Sequence, residues 1–396
     1  MRVKVRLALP LAVAAGALAG APAASGDAVT HQADAVHTGH ASVPGLNPPL
    51  RRTWSRRFPD VVSYPVIGNG RVFVTAFTTP ADGNTRESEL VAMSLRDGRV
   101  LWRKPLGRGV GGQLGLEGDR VFVTRGGYDP PSIEALAAAD GRSLWSKPDH
   151  DTFSSEPPVP FDGVVYVPYN DHLRAFRSSD GAELWATAGV GHDSSAGTPA
   201  IAGDSIWMTF GCENVYRLRR TDGTVMWAHE SSCHGGGGET ATLWRDRLFS
   251  REGDLDEFGY VYDAGTGARV RPLTTSQPPA FSGGLGFFPN GHSVRDALLQ
   301  PHTLTARSVT TGRARWRFRG DGYLDGTPLV VNDTVYVGSG SGVLYGLAAR
   351  SGRVRWRDRL GTPIPASPGL WDMQTGLAAA EGTLVVPALR RVVAYR

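Results

Sequence analysis

The chain has 396 residues, 42 Lys plus Arg against 38 Asp plus Glu, and two cysteines. Residues 1–25 carry three positive charges and no acid, so the formal net charge of +4 falls to +1 without them. There is no basic run of the kind that marks a phosphate-binding surface, so nucleic acid is not expected as a partner. No stretch beyond the leader approaches 18 apolar residues, so a membrane span is not expected. Only Lys4, Lys104 and Lys147 are lysines; the arginine preference reads as codon bias.

Taken in chain order, residues 1–25 have the layout of a cleaved signal peptide: basic Arg2, Lys4 and Arg6, an apolar run Leu7–Ala19, then Ala21, Ala23, Ala24 and Ser25. A secreted or otherwise extracytoplasmic protein is expected, with no lipid anchor because no cysteine follows the apolar run. Residues 26–49 form an N-terminal leader and 50–396 the folded domain. Two cysteines in an exported chain suggest one disulfide, Cys212 to Cys233.

The pattern Gly-x-x-x-Trp recurs from Gly98 to Trp102, Gly141 to Trp145, Gly181 to Trp185, Gly223 to Trp227, Gly312 to Trp316 and Gly352 to Trp356. A degenerate copy at Gly267 has Arg271 where Trp is due. Successive glycines lie 43, 40, 42, 44, 45 and 40 residues apart. A period in the low forties with strand-like content is the signature of propeller blades, WD40-like in their length. The unit 327–357 shows the internal grammar: strands 327–331, 334–338, 343–348 and 353–357, separated by Asn332-Asp333, the hairpin 339–342 and the turn 350–352. Second strands recur at 71–75, 120–124, 164–167 and 205–209.

The final unit runs through 383–387 and 391–396 and stops after its third strand. Leu50–Trp54 is an outer strand with no blade of its own, so it is expected to complete that unit. From Trp54 to the end is 342 residues, which shared among eight units gives about 43, the observed period. The fold class is therefore all-β, an eight-bladed β-propeller closed by its N-terminal strand. Trp54, Trp102, Trp145, Trp185, Trp227, Trp316 and Trp356 are assigned to the seams between blades, where an indole buries roughly 150–250 Å².

The Asp/Thr-Gly-x-x-x-Trp repeat, with aliphatic strands such as 90–94 and 344–347 before it, resembles the tryptophan-docking motif of the quinoprotein-like propellers. That group includes pyrroloquinoline-quinone-dependent alcohol dehydrogenases and the propeller lipoprotein of outer-membrane barrel assembly. The leader residues Thr30-His31-Gln32 and His37-Thr38-Gly39 resemble the start of exported members with quinone-binding-like repeats. In the dehydrogenases the resemblance implies a quinone above the central channel, calcium or a lanthanide, an aspartate base and adjacent cysteines. Here the two cysteines are 21 residues apart and no carboxylate sits in a transferable motif.

In a propeller, the second-to-third-strand hairpins and the crossovers between blades share one face. The crossovers carry His150-Asp151, His192-Asp193, His234 with Glu239, and Tyr323 with Asp325. Histidines at nearly one-blade spacing around a channel mouth suit a metal or an acidic ligand; solvated loop residues are the plainer reading. Asp254, Asp256 and Glu257 lack the spacing of a calcium loop, and Gly235–Gly238 reads as a flexible crossover. No catalytic residue and no metal ligand is assigned. The expectation is a monomeric, non-catalytic binding or scaffolding module for a protein, peptide or envelope polymer. It has no cofactor; a pyrroloquinoline-quinone oxidoreductase with calcium is the alternative, and a polysaccharide hydrolase or lyase the third. Blade five, lacking its Trp, is expected to be the weak sector that the disulfide braces.

Overall fold

The computed structural model describes residues 27–78, 86–126, 132–148, 156–169, 172–187, 190–191, 196–230, 238–251, 258–275, 277–289, 303–324, 326–364 and 374–396. The proposed signal peptide, Cys233 and the acidic tip at 254–257 lie outside them. Among the described residues there is no helix, hence none long and apolar enough to cross a membrane.

Eight sheets form the ring, seven of them built on four consecutive antiparallel strands ordered from the axis outwards and the eighth completed by a strand from the N-terminal side. Blade one is Val66–Gly68, Arg71–Phe77, Glu87–Ser94 and Val100–Arg108. Both faces of a blade are covered by its neighbours, so its strands are apolar on both sides instead of alternating. Val72, Val74 and Ala76 pack with Val385 and Ala378 of blade eight, and Phe73 between them points the other way, towards Leu114 and Val121 of blade two.

Closure is as the repeat count requires. Blade eight is Ala378–Ala380, Thr383–Ala388 and Arg391–Tyr395, and its outermost strand is Arg52–Arg57, pairing Trp54 with Ala394 and Ser55 with Val393. Two backbone hydrogen bonds between Arg51 and Arg396 (2.7 and 3.0 Å) join the two ends of the ring.

Six of the seven seam indoles lie on the docking glycine of the following blade. A Cβ on Gly98 would meet the Trp54 ring at 2.6 Å, and Gly98 has a φ of +68°, so both space and backbone demand glycine there. The Trp54 Nε1–H donates to Leu95 O (3.0 Å), and Trp102, Trp145, Trp185, Trp227 and Trp316 repeat the contact on Ala138, Ser178, Arg220, Ala264 and Ala349. Trp356 instead meets Tyr395 edge-on at 5.3 Å; the third and outermost strands of blade eight are Arg391–Tyr395 and Arg52–Arg57, with no Gly-bearing turn between them. The expectation of a weak fifth sector needs revision. Arg271 lays its Nε and Cδ over Gly312 and donates from Nη2 to Val309 O (2.9 Å), so the guanidinium reproduces both halves of the indole's contact.

The leader has a role that its sequence does not disclose. It winds around the central channel and visits the blades in order. Leader carbonyls Ala28, Val29, Ala35, Val36, Thr38 and Gly39 accept hydrogen bonds from the innermost-strand amides of Ile67, Leu116, Ile201, Leu243, Phe281 and Val330 (2.7–2.9 Å), in blades one, two, four, five, six and seven. In blade three the matching position is Pro160, which has no N–H to satisfy. His40–Ala41 then adds to blade seven as a parallel fifth strand.

Candidate functional site

The residues just before each innermost strand ring the channel mouth on the crossover face, above the leader. They include Ser63, Glu156, Thr198, Glu239, Thr327, Gln374 and Thr375, and in blade two Gln113 lies within the strand itself, Val110–Glu117. X-Pro steps at Tyr64-Pro65, Pro157-Pro158, Thr198-Pro199 and Thr327-Pro328 hold several of these residues extended as they enter the strands.

At the centre is Glu156. Its Oε2 accepts from Thr198 Oγ1 (3.2 Å) in blade four and from Gln374 Nε2 (2.9 Å) in blade eight. Blades three and eight are not neighbours, so these side chains meet across the axis. Beside them Glu239 pairs with Arg251 (2.7 Å), whose side chain is only 6 % exposed, while the Glu239 carbonyl accepts from Thr209 Oγ1. Gly197 and Gly238 make this approach feasible: a Cβ on Gly197 would fall 2.0 Å from Glu239 O, and one on Gly238 2.1 Å from Thr209 O. Gly238 is therefore a tight seam and not a flexible link.

One guanidinium serves two carboxylates, and it is spent on Glu239. Burial, then the Glu239 charge, pushes the Glu156 carboxyl up to about 8. Below the cluster, His31 of the leader stands edge-on to Tyr64 at 5.2 Å and meets Thr375 O through Nε2 (3.3 Å). Burial drives it down to about 3, so it is a neutral ring. Its Nδ1 and the Oε1 atoms of Gln32, Gln113 and Gln374 are buried acceptors without a hydrogen-bond donor among the described residues. Deeper still, both His37 nitrogens rest on carbonyl oxygens, of His31 (2.7 Å) and Pro199 (2.9 Å). Burial lowers the His37 imidazole and raises the Asp34 carboxyl, while the two carbonyl contacts and the Asp34 charge act against burial on the ring; Asp34 is itself bonded by Thr38.

Of the residues singled out in the sequence, Glu239 belongs to this cluster. Tyr323 lies on the same face, 44 % exposed, its carbonyl accepting from Gly340 N (2.9 Å). His150, Asp151, His192, Asp193, His234 and Asp325 lie outside the described residues. Cys212 is buried in the second hairpin of blade four with a φ of +61°, and its expected partner is outside the description. Glu156, Arg251 and Gln374 escaped the sequence reading, and His31 was read there only as part of the leader. A signal existed for Glu156: it precedes Pro157-Pro158 at the same place in its blade that Glu239 holds in blade five, where blades one, two, four and seven carry Ser or Gly.

A quinone cofactor with its metal needs a convergent carboxylate set. Among the described residues no three His, Cys, Asp or Glu side chains stand together as a metal would require, and one of the two mouth carboxylates is already neutralised by Arg251. The described donors do not fit the group.

The chain is similar to proteins of more than one kind. A sequence model of the family described as outer membrane protein assembly factor BamB matches residues 86–250 and 240–396. A polyvinylalcohol dehydrogenase of Pseudomonas sp is 33% identical over 112 residues, 28% of this chain and 17% of that protein. The outer membrane protein assembly factor BamB of Salmonella typhimurium is 30% identical over 113 residues, 28% of this chain and 25% of that protein. The chain thus aligns with a quarter or less of these curated relatives. The solved quinohemoprotein alcohol dehydrogenase of Pseudomonas putida HK5 superposes with a TM-score of 0.71 at 13% identity, over 94% of this chain and 80% of that one. That likeness is one of fold.

Proposed function

The chain belongs to the family described as outer membrane protein assembly factor BamB, and from that premise we propose that it is an exported, non-catalytic binding or scaffolding module. Its crossover face would hold a protein, a peptide or an envelope polymer. The observation that carries this reading is the filled channel. The leader is hydrogen-bonded into six of the eight inner strands, and Glu156, Thr198 and Gln374 bridge the mouth above it. A rigid ring with a braced axis presents short loops at low ordering cost, which favours binding over chemistry in the interior. The reading includes removal of residues 1–25, a Cys212–Cys233 bridge on the binding face, and His150, Asp151, His192, Asp193, His234 and Asp325 as loop contacts around Tyr323 and Glu239.

The relationship to polyvinylalcohol dehydrogenase favours a second reading, a quinone-dependent oxidoreductase. Titration of the purified protein with pyrroloquinoline quinone and calcium, followed by a dye-linked alcohol oxidation assay, separates the two. The binding-module reading expects neither stoichiometric uptake nor turnover; tight uptake with alcohol oxidation would replace it. A photo-crosslinker at Tyr323 should capture the natural partner, whereas one at Leu184 on the outer wall should not.

A further inference from the structure

Outside the channel, the most uneven feature of the molecule is the charge on its outer wall. Ten-residue windows around each outermost strand make the comparison. Residues 310–319, 350–359 and 48–57, in the adjacent blades six, seven and eight, hold thirteen arginines and one acid, Asp358. The equivalent windows of blades three and four, 179–188 and 221–230, hold four acids and no Lys or Arg. Codon bias would spread arginine evenly, so it does not account for this polarity.

The strands Ala314–Arg319 and Val354–Arg359 alternate exposed arginines with half-buried seam residues. Arg315, Arg317, Arg319, Arg353 and Arg357 form no ion pair with any described carboxylate, whereas Arg355 pairs with Asp333 and Arg359 approaches Asp321 at 3.7 Å. Alternate residues of a strand repeat about every 6.6 Å, so the arc offers planar guanidiniums at regular spacing, the group best suited to bidentate phosphate contacts.

We propose that this arc, the outer wall of blades six to eight, binds a linear phosphate polymer without bases. Its shape selects that occupant. Three of eight blades cover more than a third of a convex circumference, which a flat anionic membrane cannot touch at once but a flexible chain can follow. Trp54 is 9 % exposed, and the half-buried Trp316 and Trp356 are engaged at the seams, Trp316 on Gly352 and Ala349 O and Trp356 on Tyr395, so these indoles offer little platform to nucleic-acid bases. A second copy of the chain would bring four acids against thirteen arginines and leave most of the charge unmatched. The proposal is independent of the crossover face.

The test uses the mature chain and labelled inorganic polyphosphate, followed by fluorescence anisotropy. Affinity should fall at least about tenfold between roughly 50 and 200 mM salt. The variant R315Q/R317Q/R357Q, all surface positions, should melt like the parent, bind at least tenfold more weakly and show a log–log salt slope shallower by about 2. The variant R142Q/R177Q/R219Q, with the same net charge on other blades, should stay within twofold of the parent. Absence of binding at low salt, or equal loss in both variants, would overturn the proposal. So would tighter binding of single-stranded DNA of matched charge, tighter binding of anionic vesicles, or self-association that competes with the polymer.

Discussion

At the scale of single residues, the seams and the mouth make opposite demands on charge. Arg271 shows that the seam needs a flat group with one N–H donor, and a guanidinium meets that need when an indole is missing. Arg271→Ala should cost about 1–3 kcal/mol, because it empties the stack on Gly312 and leaves Val309 O without its donor. Arg271→Trp should recover the parent's melting temperature, and a variant no more stable than Arg271→Ala would show that the guanidinium does not stand in for the indole. Glu156 carries the larger effect of pH. Its folded carboxyl keeps its proton up to about 8, whereas the unfolded chain releases it near the ordinary value of 4.5. The folded state therefore binds more protons in between, so the stability contribution is fullest below 4.5, falls as pH rises towards 8 and levels off above it. Glu156→Gln retains the bonds to Thr198 and Gln374 and should flatten that slope, gaining on the order of a few kcal/mol over the parent at pH 8. A denaturant series across pH 5–8 with parallel curves for parent and variant would contradict the assignment.

At the scale of elements, the repeat was legible and the site largely was not. The Gly-x-x-x-Trp spacing is a local signal, since the glycine shapes its own turn and the indole its own strand, so blade number and the completing role of Arg52–Arg57 could be read directly. Edges were less distinct: the first strand of blade seven begins at Leu329 and not Thr327, and its last runs to Arg359. The mouth cluster draws Glu156, Thr198, Glu239 and Gln374 from four blades, which meet only after the ring has closed, so no spacing along the chain announces them. The arginine arc was hidden for the same reason, as alternate residues of three strands far apart in sequence make no basic run. The leader's task was equally silent, because it is fixed by carbonyls and not by side chains. The disulfide belongs to this scale as well. A Cys212–Cys233 bridge would close a loop of about 20 residues, worth roughly 3 kcal/mol. With Arg271 already filling the seam of blade five, reduction should lower the melting temperature through blade four and the following crossover. An unchanged melting curve in reductant would argue against the bridge.

At the scale of the whole molecule, the ring is secured at two places by residues before its first blade. Arg52–Arg57 supplies the missing outer strand, and residues 28–41 lace the inner edges together around the axis. With the leader laced along the axis, the crossover face and the outer wall are the places where partners are proposed. Native-state hydrogen exchange on the inner strands tests this most directly. The amides of Ile67, Leu116, Ile201, Leu243, Phe281 and Val330, which donate to the leader, should exchange only through global unfolding and share one protection factor. Rapid exchange at these six amides, with the outer strands still protected, would mean that the leader does not occupy the channel and that the interior is open to a ligand after all.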